Sequence, residues 1–279
     1  MTAESAPTRW HAALLLALLA GLSACMPSRR EVREATAAAV PQQDRVVSCT
    51  REDRCALDSP LRALALAARE ASRPDAPRHR VLLLERGQDS LLARIHLIRS
   101  AQQTIQLQSF IFAEDDAGYF VLNELLQAAR RGVQVQVLLD QLFSVDDVRL
   151  LARLAQAHVN FELRLYNPTF GEAHTDPLQF LAGALCCFTR FNQRMHNKLL
   201  LIDGLVGITG GRNYQNRYFD WDPGFNYRDR DALAAGPVAE RMRASFEEFW
   251  RHRKTVPVAA LRDVRRWIGR DGDAEEALP

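Results

Sequence analysis

Between Met195 and Asp203 the chain runs Met-His196-Asn-Lys198-Leu-Leu-Leu-Ile202-Asp203, and a short step later comes Gly210-Gly211-Arg212-Asn213. Lys198 to Ile202 reads as a buried strand. Residues two apart on an extended chain project from the same face, so His196 stands beside Lys198. A histidine held against a fixed cation at a strand start is a nucleophile or a proton carrier next to an anion clamp. Asp203 and Gly204 make a turn, and Val206 to Thr209 returns as the second arm of a hairpin. That return brings Gly210-Gly211 and the Asn213 amide back toward His196, and glycines there let the backbone approach a ligand such as a phosphate closely. Imidazole, ammonium and carboxamide are gathered without a cluster of hard carboxylate ligands, which suits metal-free chemistry on a phosphate; no metal or other cofactor is expected. A structural hairpin with an incidental histidine is the plainer alternative, and six specified residues at fixed spacing weigh against it.

His-x-Lys, four residues, Asp, then Gly-Gly-x-Asn resembles the defining motif of the phospholipase D superfamily. The resemblance extends over roughly residues 80–253. Gly87 through Asp140 is similar to the first half of bacterial cardiolipin synthases, including Phe110-Ile111-Phe112, Asp116-Ala117-Gly118 and the strand ending Leu138-Leu139-Asp140. Tyr227-Arg228-Asp229 and Phe246-Glu247-Glu248-Phe249-Trp250 keep that family's order, and the branch with a Gly-Gly-Arg-Asn signature and an Arg228-Asp229-Arg230-Asp231 stretch fits best. The resemblance implies roles. His196 attacks phosphorus and forms a phosphohistidine. Lys198 and Asn213, with Gly210 and Gly211 beside them, hold the phosphate oxygens through the transition state. Asp229 orients the histidine. Asp203 completes the catalytic motif but is expected to brace the hairpin more than to touch substrate, and Asp140 is either structural or functional.

The superfamily builds its site from two such motifs, one histidine attacking and the other protonating the leaving oxygen. This chain has one. His252-Arg253-Lys254 repeats His-x-Lys, but Ala259 stands where Asp is required and no Gly-Gly-x-Asn follows. Three expectations follow: the chain is the front half of a two-motif protein, a homodimer in which two copies of His196 meet across a twofold axis, or an inactive remnant. The first is favoured, because the matched branch carries both motifs in one chain. The implied reaction is phosphatidyl transfer or hydrolysis on phospholipids, cardiolipin synthesis being the specific form. The alternatives are a dimeric phosphodiesterase or nuclease, and a lipid-binding lipoprotein without activity. A net charge of only +2 argues against nucleic acid as partner.

The elements that must position these residues alternate. Val81 to Leu84 reads as a short buried strand, and a helix from Asp89-Ser90 carries Leu91, Leu92, Ile95, Ile98 and Ala101 on one stripe. Thr104 to Phe112 is β-rich, Phe120 to Arg131 is helical and stopped by Gly132, and Val133 to Leu139 is an interior strand. Val145 to His158 is helical again and Phe161 to Tyr166 extended. The fold class is therefore α/β, a phospholipase D-type layered domain with a mixed or parallel sheet flanked by helices, placed at residues 80–255. Asn167 to Arg190 interrupts the alternation with the apolar run Phe180 to Phe188, nine residues and too short to cross a membrane. A core helix beneath a loop is the favoured reading, and an apolar lip facing lipid or acyl chains is the other.

Before the domain, Arg9, the apolar stretch Ala12 to Leu22 and Leu22-Ser23-Ala24-Cys25 resemble a bacterial lipoprotein leader, residues 1–24, with Cys25 as the lipidated residue. That resemblance implies an envelope protein facing the periplasm and anchored in a membrane, the outer one favoured because Met26 rather than Asp follows the cysteine. Residues 25–79 read as an aperiodic tether, then a linker helix from Ser59-Pro60 to Glu70. Cys49 and Cys55 are expected to close a small disulfide loop in an oxidising compartment. Cys186 and Cys187, in an apolar stretch, are expected to be buried thiols. Residues 256–279 read as a basic helix and an acidic tail.

Overall fold

The computed structural model describes residues 27–270, so Cys25, the leader and the acidic end lie outside the described residues. Eight strands are present: β1 (Arg80–Leu84), β2 (Thr104–Ser109), β3 (Gln134–Asp140), β4 (Phe161–Tyr166), β5 (Leu199–Ile202), β6 (Val206–Gly210), β7 (Asp231–Ala235) and β8 (Thr255–Pro257). They form one sheet in the order β1-β7-β6-β5-β2-β3-β4-β8. β2, β3 and β4 run parallel and every other neighbour pair is antiparallel, so the sheet is mixed.

Helices cover both faces, and the sequence of β5 shows how. Leu200 and Ile202 enter the larger core, while Leu199 and Leu201 enter a smaller one with Leu138, Phe246 and Trp250. Alternate side chains of a strand face opposite ways, so a continuous apolar run is what a strand covered on both faces requires. The larger core is closed by α3 (Gly87–Ser100), α4 (Asp116–Arg130) and α5 (Val148–Gln156), and the smaller by α8 (Val238–Trp250). The connections between β2, β3 and β4 are helical crossovers, as parallel neighbours need.

Helix starts differ from the sequence reading where caps act. The Asp115 carboxylate accepts from the Gly118 amide at 3.1 Å, so α4 begins at Asp116 rather than Phe120. At α3 the cap comes from a distance: Asp220 accepts from the amides of Gly87 and Gln88, at 2.8 and 3.4 Å, and the helix starts two residues before Asp89. The linker helix α2 (Pro60–Glu70) has the expected Ser59 cap and first-turn proline.

Several expectations are corrected. β1 is an edge strand with Val81, Leu82 and Leu83 exposed, not a buried one. The supposed tether contains α1 (Arg29–Ala39), opened by a reciprocal Ser28–Glu31 capping box and seated in the larger core through Ala35 and Ala39. Small buried residues four apart left too faint a stripe to read. Cys49 and Cys55 are bonded as expected, with Cα atoms 6.0 Å apart. Cys186 and Cys187 are bonded to each other, and Cys186 is exposed. The run Phe180 to Phe188 is not a core helix: it forms α6 (Pro177–Cys186) and leads into the single turn α7 (Phe188–Phe191), with most of its apolar side chains in solvent. The basic stretch near the end is not one helix either. Thr255–Pro257 joins the sheet as β8, and past it the described residues hold a 3-10 turn (Val258–Ala260) and the short α9 (Arg262–Arg265). No helix among the described residues is long and apolar enough to cross a membrane.

Candidate active site

The end of the sheet where β2, β3 and β4 finish is also where β5 begins, because β5 runs against β2. His196 and Lys198 lie on the approach to β5 and so arrive at that carboxyl edge. Asp140, the last residue of β3, fixes the approach: its buried carboxylate accepts from the Met195 amide at 2.8 Å and from the Arg194 guanidinium at 3.2 Å. Burial raises its pKa, with Arg194 and the Met195 amide pulling the other way. Asp140 is thereby a positioning group for the segment that carries His196.

Lys198 is 6% exposed, and its Nζ donates to the His196 carbonyl at 2.8 Å while standing 3.4 Å from His196 Nδ1. Phe110, just past β2, closes one side: its ring centroid is 4.6 Å from that of His196, and the ammonium lies 5.3 Å from it. A cation against a ring face gains from the ring quadrupole. Burial lowers the Lys198 pKa, and the Asp229 charge partly restores it. The imidazole is open to solvent on its outer side. Partial burial, and then the Lys198 cation, lowers its pKa, which favours the neutral base at neutral pH. A free imidazole lone pair beside a fixed ammonium is an arrangement for nucleophilic attack at an anionic centre.

The hairpin returns as expected. Thr209 lies opposite Leu199, and its hydroxyl donates to the Lys198 carbonyl at 2.8 Å, so residues 210–213 run on past Lys198. Asn213 is buried; its Oδ1 accepts from the Ile111 amide at 3.0 Å, and a side-chain hydrogen bond joins it to Tyr218. One amide side chain thus ties the hairpin to the chain that bears Phe110. The two glycines also answer to a constraint within the fold. A Cβ on Gly211 would sit 2.1 Å from the Asp229 carboxylate, and one on Gly210 would sit 2.5 Å from the Arg230 carbonyl. On the side where a Cβ would stand they admit the segment 229–231.

The acids separate into three roles. Asp229 lines an open depression of about 750 Å³ with Tyr227, Arg228 and Arg230, and its charge falls on Lys198. Among the described residues no hydrogen bond joins it to His196, and its charge reaches the site through Lys198. Asp203 stands apart from the site, in the bracing place that the sequence reading favoured. It directly follows β5, seven residues after His196 and ~20 Å away along extended chain. Its carboxylate accepts from the amides of Gln102, Gln103 and Thr104, at 3.1, 2.7 and 2.9 Å, and pairs with Arg62. It is the brace of the hairpin turn, in a left-handed conformation at φ 51°.

Asp231 is the functional neighbour that sequence reasoning passed over. Its buried carboxylate accepts from Ser90 Oγ at 2.6 Å and from Arg94 at 3.1 Å, and Arg212 reaches it at 3.3 Å. Arg212 also donates to the carbonyls of Leu84, Glu85 and Tyr218, so the Gly-Gly-Arg-Asn turn is held from within. Phe110 was noted only as part of a matching stretch; an aromatic residue just past a parallel strand, at the sheet edge where ligands bind, was the signal that marked it. Among the described residues no group of three His, Cys, Asp or Glu side chains is placed to hold a metal ion.

A family model for the cardiolipin synthase, PLD-like domain matches residues 94–250 of this chain. An uncharacterized protein of Helicobacter pylori is 39% identical over 191 residues, which are 68% of this chain and 37% of that protein. Cardiolipin synthase C of Escherichia coli is 36% identical over 183 residues, 65% of this chain and 37% of the synthase. The chain thus spans a little over a third, 37%, of the length of these relatives. Among solved structures, the phosphatidylserine synthase of Haemophilus influenzae superposes with a TM-score of 0.50 at 14% identity, covering 77% of this chain and 45% of that one, a likeness of fold.

Proposed function

Because the chain belongs to the cardiolipin synthase, PLD-like domain family of the phospholipase D superfamily, we propose that it supplies the nucleophilic half of a phosphodiester-exchanging site that acts on phospholipids, by phosphatidyl transfer or hydrolysis. One observation carries the reading: a solvent-open imidazole with a lowered pKa is held 3.4 Å from a buried ammonium, at the carboxyl edge of the parallel strands. In the first displacement the unprotonated ring nitrogen of His196 forms an N–P bond as the P–O bond to the departing alcohol breaks. The Lys198 ammonium balances charge on the equatorial oxygens, with the Asn213 amide as the second donor. In the second, the hydroxyl of water, glycerol or another phospholipid forms a new P–O bond as the N–P bond breaks, and its proton passes to the group that protonated the departing alcohol in the first.

The departing alkoxide needs a proton, and His252, in the other His-x-Lys sequence, is engaged elsewhere: its Nδ1 accepts from the Lys254 amide at 3.2 Å and its ring packs on Tyr166. The general acid therefore belongs to a second motif, in a second copy of this chain or in further sequence. Cys25 is proposed as a lipid anchor at the periplasmic side of the envelope, beside such substrates. Turnover of phosphatidylglycerol vesicles by the full chain and by His196→Ala tests the reading. It expects release or transfer of the headgroup by the parent alone. Cleavage of DNA with no lipid turnover would favour the nuclease alternative, and equal turnover by both proteins would remove His196 from the chemistry.

A further inference from the structure

We propose that α6 and α7 form a docking surface that lies in the interface of an anionic phospholipid bilayer and seats the active-site edge against it. The helix Pro177–Cys186 carries no charged side chain, yet Leu178 and Leu185 are each 78% exposed, and Phe188, in the following turn, is 62% exposed. Leu181 continues the same surface. An uncharged, leucine-rich helix left in water is unfavourable, and a contiguous apolar patch marks a partner. The helix is not a displaced core element, because its inner side is already satisfied. A Cβ on Gly183 would lie 2.7 Å from the Phe191 ring, so the glycine permits close seating on α7, and Phe180 meets Phe191 edge-on at 5.1 Å between centroids.

The charge at its foot selects the occupant. Lys254 is surrounded by Arg190, Arg194 and Arg253, and after burial it is these cations that lower its pKa. Arg194 is balanced by Asp140, but Arg190 and Arg253 are exposed and stand among like charges. Apolar side chains flanked by a basic cluster match the two layers of an anionic membrane surface, acyl chains and headgroup phosphates. A helix of ten residues cannot span the hydrocarbon, so it lies along the interface.

The position makes the surface useful. Gln141, just after β3, donates to the Ala173 carbonyl at 2.7 Å and the Thr175 hydroxyl at 2.6 Å, which ties the entry of α6 to the carboxyl edge of the sheet. Asn167, just after β4, donates to the carbonyls of Arg190 and Gln193 at 2.9 and 3.0 Å, which ties its exit there too. The chain then passes through Arg194 to His196. Docking would thus present the nucleophile to headgroup phosphates, a benefit that rests on the proposed phospholipid chemistry although the docking itself does not.

Hydrogen–deuterium exchange of the full chain across residues 177–191 tests this, in buffer and with vesicles of phosphatidylcholine alone or mixed with phosphatidylglycerol. The local readout is independent of any N-terminal anchor. Mixed vesicles are expected to slow exchange there, and Leu178→Asp with Leu185→Asp is expected to abolish the slowing while exchange in the sheet stays unchanged. Each substitution should weaken vesicle partition by about tenfold, the equivalent of exposing one leucine. A second variant, Arg190→Glu with Arg253→Glu, keeps the apolar face and should lose the preference for the anionic vesicles. His196→Ala should keep the slowing, so failure of docking and failure of chemistry read out separately. No slowing with mixed vesicles, equal slowing with both lipids, or a concentration-dependent slowing in buffer from a second copy would each overturn the proposal.

Discussion

Replacing Asp231 by alanine should destabilise the protein without touching a reacting group, whereas replacing Asp229, two residues earlier, should do the reverse. Asp231 is 1% exposed, and its carboxylate takes hydrogen bonds or ion contacts from Ser90, Arg94 and Arg212 within 3.3 Å. Desolvation pushes its pKa up, but Arg94, Ser90 and Arg212 outweigh it and the net shift is downward. Arg212 would keep its three carbonyl partners, but Arg94 would be left as a buried cation without a counter-charge. Removing one partner of such a pair costs about 3–5 kcal/mol, because the other charge stays buried and unpaired. Urea unfolding followed by tryptophan fluorescence, compared with the parent, reads the loss directly. A lowered folded-state pKa contributes stability above the unfolded carboxylate value and loses it as pH falls, so the difference between parent and variant should narrow toward acid pH. Asp229→Asn should unfold at nearly the parent midpoint but lose turnover. A cost below about 1 kcal/mol for Asp231→Ala, the range of a surface pair, would refute this network as what holds the Gly-Gly-Arg-Asn turn.

Lys198→Met should lower kcat by about 10²–10³-fold, the usual loss on removing one donor that stabilises transition-state charge. The same change should move the acid limb of the pH–rate profile upward, because the Lys198 cation is one cause of the lowered His196 pKa. Asp203→Ala should cost about 1–3 kcal/mol or more by stranding the amides of residues 102–104, with turnover per folded molecule unchanged. Gly211→Ala should fold and lose activity, since the atoms nearest its Cβ belong to the Asp229 side chain. Gly210→Ala should fail to fold, since its Cβ meets the backbone of Arg230 and Asp231; circular dichroism and turnover distinguish the two.

Much of the sheet was legible because β5 and the end of β3 are covered on both faces and read as apolar runs, while β4 alternates apolar residues with Glu162 and Arg164. β1 misled for the same reason, being an apolar run at an edge, where burial depends on what lies beside it. Phe180 to Phe188 misled likewise: composition marks an apolar helix, but only the third dimension shows that Gly183 and Phe191 satisfy one side and leave the other in solvent. At the site, His196 and Lys198 were readable from strand parity. The network around Asp231 was not, since it depends on a hydroxyl and a guanidinium, Ser90 and Arg94, that meet the carboxylate from as far as 141 residues away in the chain.

Mass spectrometry of acid-quenched and base-quenched full chain after mixing with phosphatidylglycerol vesicles would test the His196 assignment most directly. An adduct on the peptide bearing His196, stable to base and labile to acid as a phosphoramidate is, and absent from His196→Ala, is the predicted result. Lipid turnover that proceeds with His196 replaced, or an adduct on another residue, would contradict it.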